Sequence, residues 1–486
     1  MIKYEMICQF SSLHPDKIAL YDDKGAISWS KFRKYVLQLI HAIERNKIDY
    51  TKPILYLSEN SKDIVLLGAA FSTLGVAFQG LDYHLDKGSI ALLIQQLDVK
   101  HIFVSSKFLE KFVSLSAQCQ VHHIEQFTKE AEYIDSEPLN TIEKTPTLPF
   151  RSYSFTSGTT GIPKIVYRTT SFDKRRFEYL QNRYQFNTHD VHFTCLPLYH
   201  VSASGWLRLF LSLGCTCIVH NFDNSYKLCE IFHVKKISTA LLSPHLVKQI
   251  MDQLTEGDAL TYFPSLRFVI TGGKNFPATF KKKAIRALGP VVYEYYGTTE
   301  TGINTLLDPK EAFKYPGSVG REFEGNHIEI LDKHNSPLPS GQTGRIAIHS
   351  YMNMDQYLHH ISNFVMLDEK KYLITSDYGY KNAEGYLFIA KRATHIENNI
   401  RNLYAMENEV VNLDYVADVA VYGKMNSDRV DINVVLNKYY PYRNLQADIK
   451  NISENYEISD ISVHIVSMLD YTLTGKIKLP LTVMTE

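Results

Sequence analysis

Short buried-strand patterns and longer helical patterns alternate through most of this chain. That alternation restricts the fold more than any single motif. Ser30 to Ile43 has helical spacing, with Phe32, Val36, Leu37, Ile40 and Ile43 apolar. Pro53 to Leu57 reads as a short buried strand, Ile64 to Leu74 as a buried helix, Gly88 to Leu97 as a helix and His101 to Ser105 as a strand. The rhythm returns at Lys236 to Leu242, a strand, and His245 to Gln253, a helix. Strands alternating with helices call for largely parallel sheets covered by helices, an α/β fold. A length of 486 residues allows two or more domains with a large core. There is no internal repeat and no low-complexity tract. The polar, aperiodic stretch from Gln118 to Thr147 reads as a surface connection.

Charge excludes several classes of partner. Acidic and basic residues number 52 each, and the sequence pI is about 7.3. This balance does not suit nucleic acid or an anionic membrane surface. The six cysteines stand at 8, 119, 195, 215, 217 and 229 without a metal-site or disulfide spacing. They read as small buried hydrophobes in a reducing compartment, with a cytoplasmic location as the expectation. The longest apolar run, Ile64 to Phe78, is broken by Ser72, Thr73 and two glycines. It is too short and mixed to be an integral membrane segment.

Tyr153 to Lys164 packs hydroxyl residues, glycines and one lysine into a dozen positions. Small residues let backbone close around a phosphate; hydroxyls and free amides donate to it; a lysine adds charge. The common phosphate loop ends in Gly-Lys-Ser/Thr, and here Pro163 helps separate Gly161 from Lys164. Alone, such a cluster usually marks an ordinary turn. An early Gly-x-Gly-x-x-Gly is missing, which disfavours a dinucleotide-binding dehydrogenase.

This loop resembles that of the adenylate-forming enzymes: acyl-CoA synthetases, aryl-acid ligases, luciferases and peptide-synthetase adenylation domains. Further resemblances follow in the family's order. They are Gly272-Gly273-Lys274 after an apolar run, Tyr295-Tyr296-Gly297-Thr298-Thr299-Glu300, Gly317 to Asp332, Ser340 to Ile348, Thr375 to Tyr380, Glu384 to Arg392 and Thr472 to Leu479. Together they span essentially the whole chain. The resemblance implies a large N-terminal AMP-binding domain at 1–391 and a small, mobile α+β domain at 392–486, with the hinge near Arg392.

It also implies a reaction: carboxylate plus ATP, with Mg2+, gives an acyl-adenylate and pyrophosphate. The acyl group then passes to the thiol of coenzyme A or of a carrier protein's phosphopantetheine. Thr156, Ser157, Gly158, Thr159, Thr160, Gly161 and Lys164 would cradle the β- and γ-phosphates. Glu300 would bind Mg2+, with Thr156 as a second ligand, because magnesium prefers few carboxylates plus phosphate oxygens. Thr299 would bond the α-phosphate. Tyr296 would lie against adenine, beside Gly272 and Gly273. Asp377 would accept from both ribose hydroxyls, and Arg392 would contact ribose or phosphate. Lys476 would reach the incoming carboxylate and the α-phosphate.

The acid pocket would draw on His200, Val201, Ser202, Gly272, Lys274, Tyr295, Gly297 and Thr298. Amino-acid-activating relatives hold the ammonium with an aspartate in this region. No residue from Tyr199 to Trp206 is acidic, so a non-amino acid is favoured, aryl or short- to medium-chain. Blander readings stand beside these: Glu300 as a capping residue, Tyr296 and Trp206 as core aromatics, Asp377 as a turn residue, and His200 as an ordinary histidine.

The segment after Arg392 departs from the family. Its glycines are replaced by Asn398 and Asn399, it is one residue short, and Thr394 stands where Asp or Lys is usual. That loop would line the thiol tunnel. Transfer to another nucleophile, or a non-catalytic relative that binds a carboxylate or nucleotide, are the alternatives.

Overall fold

The computed structural model describes residues 2–112, 118–134, 148–156, 163–221, 226–254, 261–392, 403–423, 429–437 and 444–469. It contains two compact units: residues 1–241 with 354–361, and residues 242–353 with 362–486.

The first unit holds the alternation read from sequence. Ile54–Leu57, Phe78–Gly80, His101–Val104 and Gln120–His123 form an all-parallel sheet in the order 78–80, 54–57, 101–104, 120–123. Every residue of Ile54–Leu57 and His101–Val104 is buried, as expected of strands covered on both faces. In a second sheet Thr239–Leu242, Val191–Thr194, Thr216–Val219 and Ile18–Asp22 run parallel in that order, and Gly25–Ser28 closes it as an antiparallel hairpin. The covering helices start where a side-chain oxygen accepts from a backbone N–H of the first turn. Ser28 Oγ caps Trp29–Arg45, Ser61 Oγ caps Lys62–Thr73, and Asp86 caps Lys87–Gln96. The run Ile64 to Phe78 is divided between a helix and a strand. No described helix is long and apolar enough to cross a membrane. Cys119, Cys195, Cys215, Cys217 and Cys229 are buried, and Cys8 is half-buried.

The second unit pairs Phe268–Gly272 parallel to Val292–Thr298, which turns back antiparallel into Gly302–Leu307. Residues 327–392 then form a five-stranded antiparallel sheet: His327–Leu331, Gly344–His349, Lys370–Lys381 and Phe364–Leu367, with Leu387–Arg392 also paired to Lys370–Lys381. Its strands alternate buried and less buried residues, as in His327–Leu331, because an antiparallel sheet can keep one wetter face. Nearer the C-terminus Val416–Gly423, Val430–Leu436 and Ile461–Ile465 form a small mixed sheet. The helices Leu403–Val410 and Leu445–Asn455 belong with it. The α/β character and the small α+β portion agree with the sequence reading.

Candidate active site

In the first unit the hydroxyl- and glycine-rich loop joins two antiparallel strands, Ser152–Phe155 and Ile165–Arg168. Its neck is closed twice: Thr156 N–H donates to the Lys164 carbonyl at 3.0 Å, and Lys164 N–H donates to Thr156 Oγ1 at 3.1 Å. Lys164 is exposed, and its Nζ stands 5.2 Å from the centre of the Tyr357 ring. The loop is thus a hairpin loop, unlike the strand-to-helix turn of the common phosphate loop. Ser157, Gly158, Thr159, Thr160 and Gly161 lie outside the described residues.

His200 is the residue immediately before the helix Val201–Ser212. A turn fixes it: its N–H donates to the Pro197 carbonyl at 3.0 Å and its carbonyl accepts from Ser204 N–H at 3.0 Å. The Tyr199 ring lies 4.7 Å from the His200 ring and meets Tyr83 edge-on at 5.4 Å. Burial, together with the Asp82 carboxylate, pushes the Tyr199 phenol far above its usual range. His200, Val201 and Ser202 are half-buried. Trp206 is buried and stacks toward Phe210 at 6.5 Å, so its role is in the core.

In the second unit the two glycines have different reasons. Gly272 ends its strand opposite Tyr295. A Cβ there would press on the Tyr295 carbonyl and stand 2.6 Å from its ring. Gly273 has φ +80, a conformation that glycine adopts without penalty. Tyr295 is buried against this pair. One residue on, the strand slips register between Tyr296 and Gly297. Such a bulge re-aims the side chains around it.

Tyr296 is half-buried against a cluster that includes Ile328, Ile330, Ile346, Ile348 and Leu387. Its hydroxyl donates to Asp377 Oδ2 at 2.7 Å. Asp377 is 8% exposed. Its N–H donates to Thr375 Oγ1 at 3.1 Å, and it stands opposite Arg392 in the strand register. Two residues separated by 81 positions in the chain are therefore in contact. Thr299 and Glu300, both half-buried, form the turn between Val292–Thr298 and Gly302–Leu307. Thr301 N–H donates to Thr298 Oγ1 at 3.2 Å, and Gly302 takes φ +72. One carboxylate among hydroxyls on a tight turn suits a magnesium ion that arrives on phosphate oxygens.

The sequence reading gave no role to Glu407 or to Glu294. Glu407 is buried; Asn275 Nδ2 donates to its Oε1 at 2.9 Å and Val421 N–H to its Oε2 at 3.3 Å. Asn408 Oδ1 accepts from Ala278 N–H at 3.2 Å, at the start of the helix Ala278–Leu288. Helix Leu403–Val410 thus docks on the segment that follows the glycine pair. Burial lowers the Lys274 pKa against the opposing pull of Glu407 and Asp418. Burial raises that of Glu407, with Lys274 opposing. Glu294 forms a buried ion pair with Lys281, whose Nζ also donates to the Ser318 carbonyl at 2.9 Å. Burial raises the Glu294 pKa while Lys281 pulls it down. Lys476 and Thr394 lie outside the described residues.

Residues 9–358 match the AMP-binding enzyme family, and the chain belongs to that family. It is 24% identical over 475 residues to the 2-succinylbenzoate–CoA ligase of Listeria monocytogenes, covering 96% of each chain. It is 22% identical over 407 residues to the fatty acid–[acyl-carrier-protein] ligase ScoC of Streptomyces coeruleorubidus, covering 80% of this chain and 77% of that protein. Among solved structures, the amide bond synthetase McbA of Marinactinospora thermotolerans superposes with a TM-score of 0.80 at 19% identity, over 97% of each chain.

Proposed function

We propose that this AMP-binding enzyme is an acid–thiol ligase: it activates a carboxylic acid with ATP and passes the acyl group to a thiol. In the first step a carboxylate oxygen attacks the α-phosphorus, the bond to pyrophosphate breaks, and an acyl-adenylate forms. In the second, thiolate sulfur attacks the acyl carbon and AMP leaves. The Tyr296–Asp377 hydrogen bond of 2.7 Å carries this reading. It joins the residue assigned to adenine with the residue assigned to ribose, on a wall that continues to Gly272-Gly273.

Asp377, with no side-chain donor of its own when ionised, suits a diol. Mg2+ bound with ATP offsets phosphate charge; Glu300 is its assigned carboxylate and Thr156 its second assigned ligand. Thr299 is assigned to the α-phosphate, Arg392 to ribose or phosphate, and the loop 156–164 to the β- and γ-phosphates. Lys476 offsets the repulsion between the incoming carboxylate and the α-phosphate, the main electrostatic obstacle to the first step. Residues 1–391 form the AMP-binding domain. Residues 392–486 turn about the hinge near Arg392 between the two steps. The acid, proposed to be aryl or short- to medium-chain, is assigned by the family resemblance to His200, Val201, Ser202, Gly272, Lys274, Tyr295, Gly297 and Thr298.

Coenzyme A is the proposed acceptor, in line with the 2-succinylbenzoate relative that matches over 96% of both chains. The test supplies acid, ATP and Mg2+ with coenzyme A, with a phosphopantetheine-bearing carrier protein, or with a primary amine. Thioester with coenzyme A and release of AMP is the expected result. Product with the carrier protein alone would change the acceptor. Product with the amine alone would overturn the thiol step. Lys476→Ala should abolish the adenylate while sparing thioester formation from supplied acyl-adenylate; equal loss of both would remove Lys476 from the first step.

A further inference from the structure

The turn from Leu196 to His200 lies between the strand Val191–Thr194 and the helix Val201–Ser212. Such a connection has no ladder of its own, so its buried backbone groups need partners from elsewhere. One need is met locally, where His200 N–H donates to the Pro197 carbonyl at 3.0 Å. Two side-chain amides, Asn60 and Gln79, meet three others. They stand 136 and 120 positions away from the Leu196 and Tyr199 carbonyls that they bind.

Asn60 is buried, just ahead of the helix Lys62–Thr73. Its Oδ1 accepts from Leu198 N–H at 2.9 Å. Its Nδ2 donates to the Leu196 carbonyl at 3.1 Å and to the His220 carbonyl at 3.0 Å. Its backbone is anchored as well: Asn60 N–H donates to Asn221 Oδ1 at 2.9 Å, and Asn221 Nδ2 donates to the Asn60 carbonyl at 2.7 Å. An amide with its oxygen and both hydrogens engaged has one orientation available to it. Gln79, in the strand Phe78–Gly80, donates from Nε2 to the Tyr199 and Gly80 carbonyls, each at 3.2 Å. The next residue has no room for a side chain: a Cβ at Gly80 would stand 2.6 Å from Tyr199 Cβ and 2.5 Å from Tyr56 Cζ. That strand therefore packs directly against the turn, and the Tyr199 ring lies against His200.

We propose that Asn60 and Gln79 are positioning residues for the acid pocket: they hold the turn Leu196–His200 and, through it, the place of His200 beside the acid. The inference rests on the assignment of His200 to that pocket and adds the residues that keep it in place. Neither amide needs to meet substrate. Each acts on the backbone that carries His200, and a shift of about 1 Å at such a wall can cost about a hundred-fold in rate. The bonds made by the two amide side chains go to Gly80, Leu196, Leu198, Tyr199 and His220. None of these is assigned to the nucleotide, so the acid and not ATP should register their loss.

The test is acid-dependent pyrophosphate exchange by the full-length enzyme, with the Michaelis constants for acid and for ATP measured separately. The acid is whichever of benzoate, phenylacetate, butyrate and hexanoate exchanges fastest. Gln79→Met is nearly isosteric and removes only the donor; it should raise the acid constant about five-fold. Asn60→Ala also leaves the buried Leu198 N–H without its partner, and should raise the acid constant about ten-fold or more. The ATP constant should stay within about two-fold in both. Urea unfolding identifies a variant that does not fold; if that is Asn60→Ala, Gln79→Met decides alone. Acid and ATP constants that rise together, or a lowered denaturant midpoint with both constants unchanged, would make the amides purely structural and overturn the inference. His200→Ala separates the two readings. If it raises the acid constant while the amide variants do not, the inference falls and the pocket assignment stands. If it leaves the acid constant unchanged, both fall, and exchange with none of the four acids would overturn both as well.

Discussion

At the residue scale the nucleotide wall rests on a few specific requirements. Asp377→Ala should raise the ATP Michaelis constant by about ten-fold or more, because it removes the acceptor for the ribose hydroxyls and strands the Tyr296 hydroxyl. Tyr296→Phe should raise it only a few-fold, since a single hydrogen bond to a carboxylate is lost. Steady-state kinetics with ATP varied checks both; an unchanged constant in Asp377→Ala would remove that residue from the ribose site. Gly273→Ala should cost about 1–2 kcal/mol from its positive φ, read by urea unfolding. The motif Gly272-Gly273 was visible in the sequence, but its cause was not. One glycine answers to Tyr295 across the sheet and the other to its own backbone angle, and neither is a local sequence property. The contact between Tyr296 and Asp377 was likewise invisible to periodicity, although the resemblance assigned both residues to one nucleotide.

At the element scale the strand bearing Tyr295 and Tyr296 is fixed by the buried pair Lys281–Glu294. Removing one member of a buried ion pair leaves an uncompensated charge and costs about 3–5 kcal/mol. Glu294→Ala should therefore lower the denaturant midpoint sharply. The double variant Lys281→Met with Glu294→Leu should recover most of that loss, because an apolar pair of similar bulk carries no desolvation penalty. Equal destabilisation by the single and double variants would contradict this account. Helices and strands of the first unit were legible where an apolar stripe and a capping Ser or Asp coincide, as at Ser28, Ser61 and Asp86. The helix Asp173–Tyr184 gave no such signal. Arg176 and Leu180 are its buried residues, so an apolar stripe is nearly absent and the buried arginine reads as a surface charge. Glu407 was hidden in a recognisable segment, Asn402 to Val410, because its partner Asn275 belongs to a different element.

At the scale of the whole molecule, buried histidines set an acid limit on stability. Burial holds His192 neutral, with its pKa down to about 3; burial, then His101, lowers His122 to about 4. Unfolded histidine titrates near 6.5 (about). Below that pH the unfolded chain binds protons that the folded chain refuses, so stability present above pH ~6.5 is lost as pH falls toward the folded values. His192 alone should contribute a slope of about 1.4 kcal/mol per pH unit across that window. Urea unfolding at pH 7 and pH 5 should show the fall, and His192→Phe should flatten it; equal stability at both values would contradict the claim. The family and the α/β class were legible because ordered motifs extend over nearly the whole chain. The acid was not, since its pocket depends on how side chains from distant segments converge. The most direct test of the whole account is acid-dependent exchange of labelled pyrophosphate into ATP by the folded, full-length protein. The account predicts exchange that requires an acid and Mg2+ and is lost in Asp377→Ala at limiting ATP. Folded protein that gives no exchange with aryl, short-chain, long-chain or dicarboxylic acids would contradict it.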